Sequence, residues 1–284
     1  MSRFTYRASG LSDIGNVKKQ NEDAYLLKAA RNDAEQILFS LVADGMGGLP
    51  NGDMASLGIK RAFERWFMEE LPQALKADCF DEVLAQQWQD IIVSENETLN
   101  SQATASGTTL TALLLYGGKF YTANIGDSRI YRLNRGTLYQ LTVDHSWAQE
   151  AILAGLDADQ IENDPRRNTL TRCIGAGLTA EPDTDFTSGN FVSGDAFLLC
   201  SDGLRHLISA QEIRDVLASD EMSTDEKTSL LIETAKQRFE RDNITAVIIC
   251  CEEGDVSDSF VPEETDAAEK AVLDRTVKLS YSLH

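Results

Sequence analysis

Ile37-Leu38-Phe39-Ser40-Leu41-Val42-Ala43-Asp44-Gly45 is an apolar run that ends in an acidic residue and a glycine. The arrangement returns in Ala196-Phe197-Leu198-Leu199-Cys200-Ser201, which is followed by Asp202-Gly203. A third acid, Asp242, stands just before Ile244-Thr245-Ala246-Val247-Ile248-Ile249-Cys250. Runs of this length and β-branched content, bounded by turn signals, read as buried strands. Carboxylates at the ends of core strands, beside glycines that let the backbone approach closely, are one way a fold gathers ligands for a hard cation. The pattern points to metal chemistry.

Working outward, strand patterns cover 3–10, 24–29, 108–116, 119–125, 128–133 and 137–141. Tyr116-Gly117-Gly118-Lys119 and Asn134-Arg135-Gly136-Thr137 are hairpin signals between them. Helical spacing is clearest over 53–70 and recurs at 81–99, 146–154, 210–218 and 224–240, with Asp53 and Ser209 expected as N-caps. Consecutive hairpins separated by groups of helices predict an α+β layered fold with largely antiparallel sheets. A chain of 284 residues is then read as one domain over 1–252. Residues 253–284 read as an acidic C-terminal extension with a short helix near 265–278: from Glu252 onward there are nine acidic and three basic side chains.

The net charge of −20 disfavours nucleic acid or an anionic membrane as partner, because the long-range field has the wrong sign. An anionic substrate would need a local cation. No apolar stretch approaches the length of a membrane span, and Met1-Ser2-Arg3-Phe4-Thr5 lacks the apolar core of a signal peptide. The five cysteines, Cys79, Cys173, Cys200, Cys250 and Cys251, form no C-x-x-C pair, so the expectation is reduced, buried thiols in a cytoplasmic protein.

The acidic constellation is Asp23, Asp44, Asp127, Asp202 and Asp242, with Glu22 beside the first. A single Asp-Gly pair caps turns in many proteins; five acids at strand rims are harder to assign to turns alone. If four converged within roughly 4 Å, each like-charge pair would cost about 4 kcal/mol at an effective dielectric near 20. Divalent cations are the natural compensation. Oxygen-only ligands select magnesium or manganese, and only three histidines are present, which argues against zinc. Two such ions would activate water and shield an anionic substrate, so phosphoester hydrolysis is the matching reaction.

Asp44-Gly45-Met46-Gly47-Gly48, Gly126-Asp127-Ser128-Arg129, Ser201-Asp202-Gly203-Leu204 and Arg241-Asp242-Asn243-Ile244-Thr245 resemble, in order, the motifs of the metal-dependent protein phosphatases (PPM, type 2C). Asn21-Glu22-Asp23 and Ser106-Gly107-Thr108-Thr109 fit the same series, and Met46 resembles the compact bacterial branch. The resemblance implies a four-layer α-β-β-α sandwich of two antiparallel sheets flanked by helices, with a two-metal centre at one end. Asp44 would bridge two Mn2+ or Mg2+ ions and the Gly45 carbonyl would ligate one. Asp202 and Asp242 would hold that same ion, Asp23 the second, and Glu22 would act through water. Asp127 with Asp202 would match a weaker third site. The implied reaction is hydrolysis of phosphoserine or phosphothreonine in proteins by in-line attack of a metal-bridging hydroxide, without a phosphoenzyme, by a monomer opposing a serine/threonine kinase.

Three departures bear on that implication. Lys18 stands where the family usually has an arginine; it would touch phosphate as a point charge where arginine would fork, completing a catalytic set of Asp44, Asp202 and Lys18. Met46 stands where animal members carry a histidine proposed as general acid. The segment Gly155–Arg172 resembles the family's flap but has Asp164-Pro165-Arg166-Arg167 where histidine often precedes the proline; Arg166 and Arg167 would meet phosphopeptide. A phosphoprotein-binding relative without turnover is the alternative reading, with Lys18 in its favour, and a small-molecule phosphohydrolase is a third. His145 and His206 read as turn or helix-start neighbours and not as ligands.

Overall fold

The computed structural model describes residues 4–31, 35–46, 51–177 and 182–254, together with the backbone of 264–265. Gly47 and Gly48, and the expected helix near 265–278, lie outside the described residues. Strands β1 (Phe4–Asp13), β2 (Asp23–Arg31) and β3 (Gln36–Asp44) come first, then helices α1 (Gly52–Glu69), α2 (Leu71–Ala74) and α3 (Phe80–Asn100). A two-residue β4 (Gly107–Thr108) precedes the meander β5 (Leu110–Tyr116), β6 (Lys119–Ile125), β7 (Arg129–Asn134) and β8 (Thr137–Gln140). Short helices α4 (Trp147–Leu153) and α5 (Ala158–Glu162) lead to β9 (Ile174–Gly175), β10 (Asp185–Asn190) and β11 (Ala196–Cys200). Helices α6 (Asp202–Arg205), α7 (Ala210–Ala218) and α8 (Thr224–Gln237) precede the last long strand, β12 (Ile244–Glu253).

These strands form two five-stranded antiparallel sheets, ordered β1-β12-β11-β7-β8 and β10-β6-β5-β3-β2, with β4 and β9 paired separately. Glu264–Thr265 adds a short parallel pairing to Gly10 and Leu11. The α+β expectation holds, and so do both predicted hairpins: Gly117-Gly118 and Arg135-Gly136 fall between paired strands with positive φ at all four residues.

The continuous apolar runs are explained by strands buried on both faces. On β3, Ile37, Phe39, Leu41 and Ala43 face α1 and α3, whereas Leu38 and Val42 enter the core between the sheets. On β12, Val247, Ile249 and Cys251 enter that same inner core while Ile244, Ala246 and Ile248 pack with Ile213, Leu217, Leu231 and Ile232 of α7 and α8. The layers are therefore helix, sheet, sheet, helix. Phe39, Phe63, Trp66 and Trp88 lock α1 and α3 to the second sheet through ring contacts with centroids 5.3 to 6.2 Å apart.

Several expectations need correction. Asp53 is not the N-cap of α1: the cap position is Asn51, in left-handed backbone, and Asp53 falls in the first turn, where its charge still favours the helix dipole. Ser209 does cap α7, in a reciprocal box with Glu212. Cys79 is exposed, at the start of α3, although Cys173, Cys200 and Cys251 are buried. The edge strand β10 was not anticipated, because Asp185–Asn190 is largely exposed and carries no alternating apolar signal.

Candidate metal centre and active site

The register of the sheets brings the acids to one end of the sandwich. Asp23 and Asp44 face each other as the terminal pair of β2 and β3. Cys200, two residues before Asp202, pairs with both Arg129 and Ala246, so the β6–β7 turn carrying Asp127 and the entry to β12 after Asp242 arrive at the same rim. A cavity of about 500 Å³ lined by Phe4, Asn134, Arg135, Val192 and Glu253 lies at the opposite end, where Phe4 pairs with Glu253. It plays no part in this cleft.

Hydrogen bonds across the two sheets hold the rim. Asp23 Oδ2 accepts from Ser201 Oγ at 2.7 Å and from Thr245 Oγ1 at 2.6 Å. Thr108 Oγ1 and the Thr109 N–H donate to the Asp44 carbonyl at 3.0 and 2.9 Å, and the Asp44 N–H donates to Thr109 Oγ1 at 2.9 Å. Asn243 accepts from the Glu22 N–H at 2.9 Å and donates to the carbonyls of Ile14 and Gln20 at 3.0 Å each. The glycine beside Asp44 is required by close approach: a Cβ on Gly45 would lie 2.4 Å from the Gly52 carbonyl oxygen and 2.6 Å from that of Glu22.

The acids sense one another strongly. Burial, with Asp23, Asp202, Asp127 and Asp242 nearby, pushes the Asp44 carboxyl well above the usual range. Burial pushes Asp23 up to about 7, with Asp202 and Asp242 adding to it against the hydroxyls of Thr245 and Ser201. Burial and Asp202 take Asp127 to about 6 despite Arg205. Burial also raises Glu22, against the pull of Lys18. Asp23 Oδ1 and Asp202 Oδ1 are buried and accept no hydrogen bond. Buried carboxylate oxygens without a donor are costly. An oxygen-only donor set, with Asp23, Asp44 and Asp127 raised and two such orphans, fits a hard cation.

Four carboxylates touching at roughly 4 Å are not what the structure contains. Among the described residues, no three His, Cys, Asp or Glu side chains stand as a ready-made ligating cluster. Basic side chains stand beside the acids. Lys18 Nζ holds Asp242 at 2.6 Å and lies 3.9 Å from Glu22. Arg205 holds Asp127 at 2.7 Å, and His206 Nε2 lies 3.6 Å from Asp202. These basic side chains lie among the acids on that rim.

Lys18 therefore does reach the acids, and although burial works against its charge, the contact with Asp242 leaves its pKa raised. Arg166 and Arg167 do not reach them. Arg166 pairs with Asp164 at 2.8 Å and lies over the Trp147 ring at 4.4 Å; Arg167 donates to the Glu162 carbonyl at 2.8 Å. Sequence reasoning missed Arg205 and gave His206 no role. Their only signal was position, one turn beyond Asp202, at the last residue of the same short helix and at its C-cap.

A sequence profile described as protein phosphatase 2C matches residues 15–241. The serine/threonine phosphatase stp of Listeria welshimeri is 33% identical over 246 residues, covering 84% of this chain and 93% of its own. The S. agalactiae serine/threonine phosphatase superposes with a TM-score of 0.74 at 28% identity, over 87% of this chain and 99% of that one. The catalytic domain of the serine/threonine protein phosphatase PstP, solved in complex with two manganese ions, gives a TM-score of 0.69 at 29% identity over 88% and 99%. The chain belongs to the protein phosphatase 2C family. It is a serine/threonine protein phosphatase of that family's bacterial branch.

Proposed function

We propose that this phosphatase removes phosphate from phosphoserine and phosphothreonine in proteins at the acidic rim, with Mn2+ or Mg2+ as cofactor. The observation that carries the reading is the pair of orphaned buried oxygens, Asp23 Oδ1 and Asp202 Oδ1, within the field of Asp44. Asp44, the Gly45 carbonyl, Asp202 and Asp242 would hold one ion, Asp44 and Asp23 the other, with Glu22 acting through water and Asp127 with Asp202 serving a weaker third. Bound there, such ions supply a nucleophile from water at neutral pH and neutralise charge on the phosphoryl group.

The chain's own residues orient the site. Ser201 and Thr245 fix one oxygen of Asp23, which leaves the other without a hydrogen-bond donor beside the pair with Asp44. Lys18, on the same rim, would exchange its contact with Asp242 for a substrate phosphate oxygen, contributing a point charge. Arg166 and Arg167, exposed on the flap, would meet the peptide flanking the phosphate. Met46 carries no proton to give, so its side chain does not protonate the leaving group.

The domain organisation in this reading is a phosphatase domain over 1–252 and an acidic extension over 253–284. We infer a cytoplasmic monomer acting on proteins phosphorylated by a serine/threonine kinase, with nucleic acid and membranes disfavoured by the charge of −20. Among the described residues no helix is long and apolar enough to cross a membrane. The test is hydrolysis of a phosphothreonine peptide under manganese titration. Asp44→Asn and Asp202→Asn should each lower kcat by about a thousandfold, within the range for loss of a main electrostatic contributor, with circular dichroism unchanged. Turnover retained in either variant removes that residue from the mechanism, and a parent that binds the peptide without hydrolysing it supports the phosphoprotein-binding alternative.

A further inference from the structure

His145 is 5% exposed and makes contacts in two directions that the proposed chemistry does not use. Toward the acid rim, the Gly126 N–H donates to its Nδ1 at 3.1 Å and its own N–H donates to the Gly126 carbonyl at 2.9 Å. Gly126 has φ +104°, and a Cβ there would lie 2.6 Å from Thr109 Cγ2, so this turn tolerates little displacement. It is the turn that presents Asp127. Because Nδ1 accepts, the ring proton sits on Nε2, which donates to Asp185 Oδ2 at 3.1 Å. Arg172 Nη1 holds the same carboxylate at 3.2 Å, lies 3.5 Å from His145 Nε2, and pairs with Asp183 at 3.0 Å.

The backbone around the ring belongs to the flap. The His145 carbonyl accepts from the Thr171 N–H at 2.9 Å, the Trp147 N–H donates to the Thr169 carbonyl at 2.9 Å, and the Ala148 N–H donates to the Arg167 carbonyl at 3.3 Å. The return limb of the flap thus runs along residues 145–148. One imidazole bonds the Asp127 turn with one nitrogen and the anchor of the flap's last residue with the other.

We propose that His145 is a positioning residue that sets the flap relative to the acid rim, and so determines how a phosphoprotein, as opposed to a small phosphate ester, is held. This rests on the reading of the rim and flap given above. His145 touches neither substrate nor the reacting atoms; it acts through Gly126 on one side and through Asp185 and Arg172 on the other.

Three variants separate the two ends. In His145→Asn the amide oxygen can still accept from Gly126 but nothing reaches Asp185. Asp185→Ala cuts the same link from the far side. Asp185→Asn keeps an acceptor for Nε2. Loss of one hydrogen bond to a charged group corresponds to about a tenfold effect or somewhat more. His145→Asn and Asp185→Ala should therefore each raise the phosphopeptide KM about tenfold, leave kcat within about twofold, and leave both constants for p-nitrophenyl phosphate within about twofold. Asp185→Asn should stay near the parent, and the double variant His145→Asn/Asp185→Ala should be no worse than either single one. Equal losses on peptide and aryl phosphate, or additive effects, would overturn the positioning role. Hydrogen exchange supplies a readout independent of turnover: amides of 167–172 should exchange faster in both variants, while the Gly126 amide remains protected in Asp185→Ala. Unchanged exchange in 167–172 would refute the junction even if the protein proved to hydrolyse nothing, whereas a parent inactive on both substrates would refute only the catalytic reading.

Discussion

Stripping metal from this protein should invert the ordinary response of its stability to pH. Asp23 is 9% exposed and its carboxyl is pushed up to about 7, from an ordinary 3.8, chiefly by burial and then by Asp202 and Asp242. The folded chain then keeps a proton that the unfolded chain gives up. Such a group contributes fully below the unfolded pKa, and its contribution is lost as pH rises through the folded one. The loss from Asp23 is on the order of 4 kcal/mol between about pH 4 and pH 8. Asp127, at about 6, and Asp44, held well above its ordinary value by burial, act in the same direction. Against a total of roughly 5–15 kcal/mol, this is a large fraction. Exposed acids pull the other way at lower pH: Glu212, held at about 2 by Arg238 against an ordinary 4.5, adds stability as pH rises between those two values, below most of the window.

The assay is urea unfolding followed by fluorescence at intervals from pH 5 to pH 8, in EDTA and in saturating manganese. In EDTA the midpoint should fall as pH rises. In manganese it should hold or rise, because cation binding requires the carboxylates deprotonated. Asp23→Asn sharpens the test: Ser201 and Thr245 can still donate to the amide oxygen, while the charge is gone. After a cost of about 1–3 kcal/mol for the unpaired amide, the variant should be more stable than the parent in EDTA near pH 8 by on the order of 1–3 kcal/mol. It should also lose the part of its stabilisation by manganese that comes from the ion Asp23 would hold. A parent whose EDTA and manganese curves run parallel, or an Asp23→Asn variant that keeps the parent's slope, would refute the reasoning.

Lys18→Arg should lower the phosphopeptide KM several-fold, because a guanidinium can fork onto phosphate where an ammonium offers one charge; an unchanged KM would return Lys18 to the role it shows here, the partner of Asp242. Gly45→Ala should destabilise by about 1–3 kcal/mol, as overpacking does, since its Cβ would press on backbone oxygens of Gly52 and Glu22 that no side-chain rotation can relieve. Denaturant midpoints check the second of these, and a neutral outcome would mean that the start of α1 yields.

Much of this molecule is legible in one dimension because its central strands are buried on both faces. Phe39 and Leu41 point to the helices while Leu38 and Val42 point to the opposite sheet, so the run is apolar without interruption and its ends are sharp. The glycine after Asp44 and the one after Asp202 are likewise required by contacts at 2.4 and 2.1 Å, which is why acid-glycine at a strand end is informative here. Asp185–Asn190 failed to announce itself for the opposite reason, being an edge strand whose pairing with β6 is made by backbone and not by apolar side chains.

The sequence alone determined the layered α+β class, the strand-end placement of Asp23, Asp44, Asp127, Asp202 and Asp242, and the oxygen-only character of the donors, since these follow from side-chain periodicity and residue type. Only the tertiary structure decided which cations answer those acids. Lys18 is 224 residues from Asp242 and Arg205 is 78 from Asp127. Contacts of that kind are set by sheet register and by how one layer seats on the next, and neither quantity is written in any local stretch of chain.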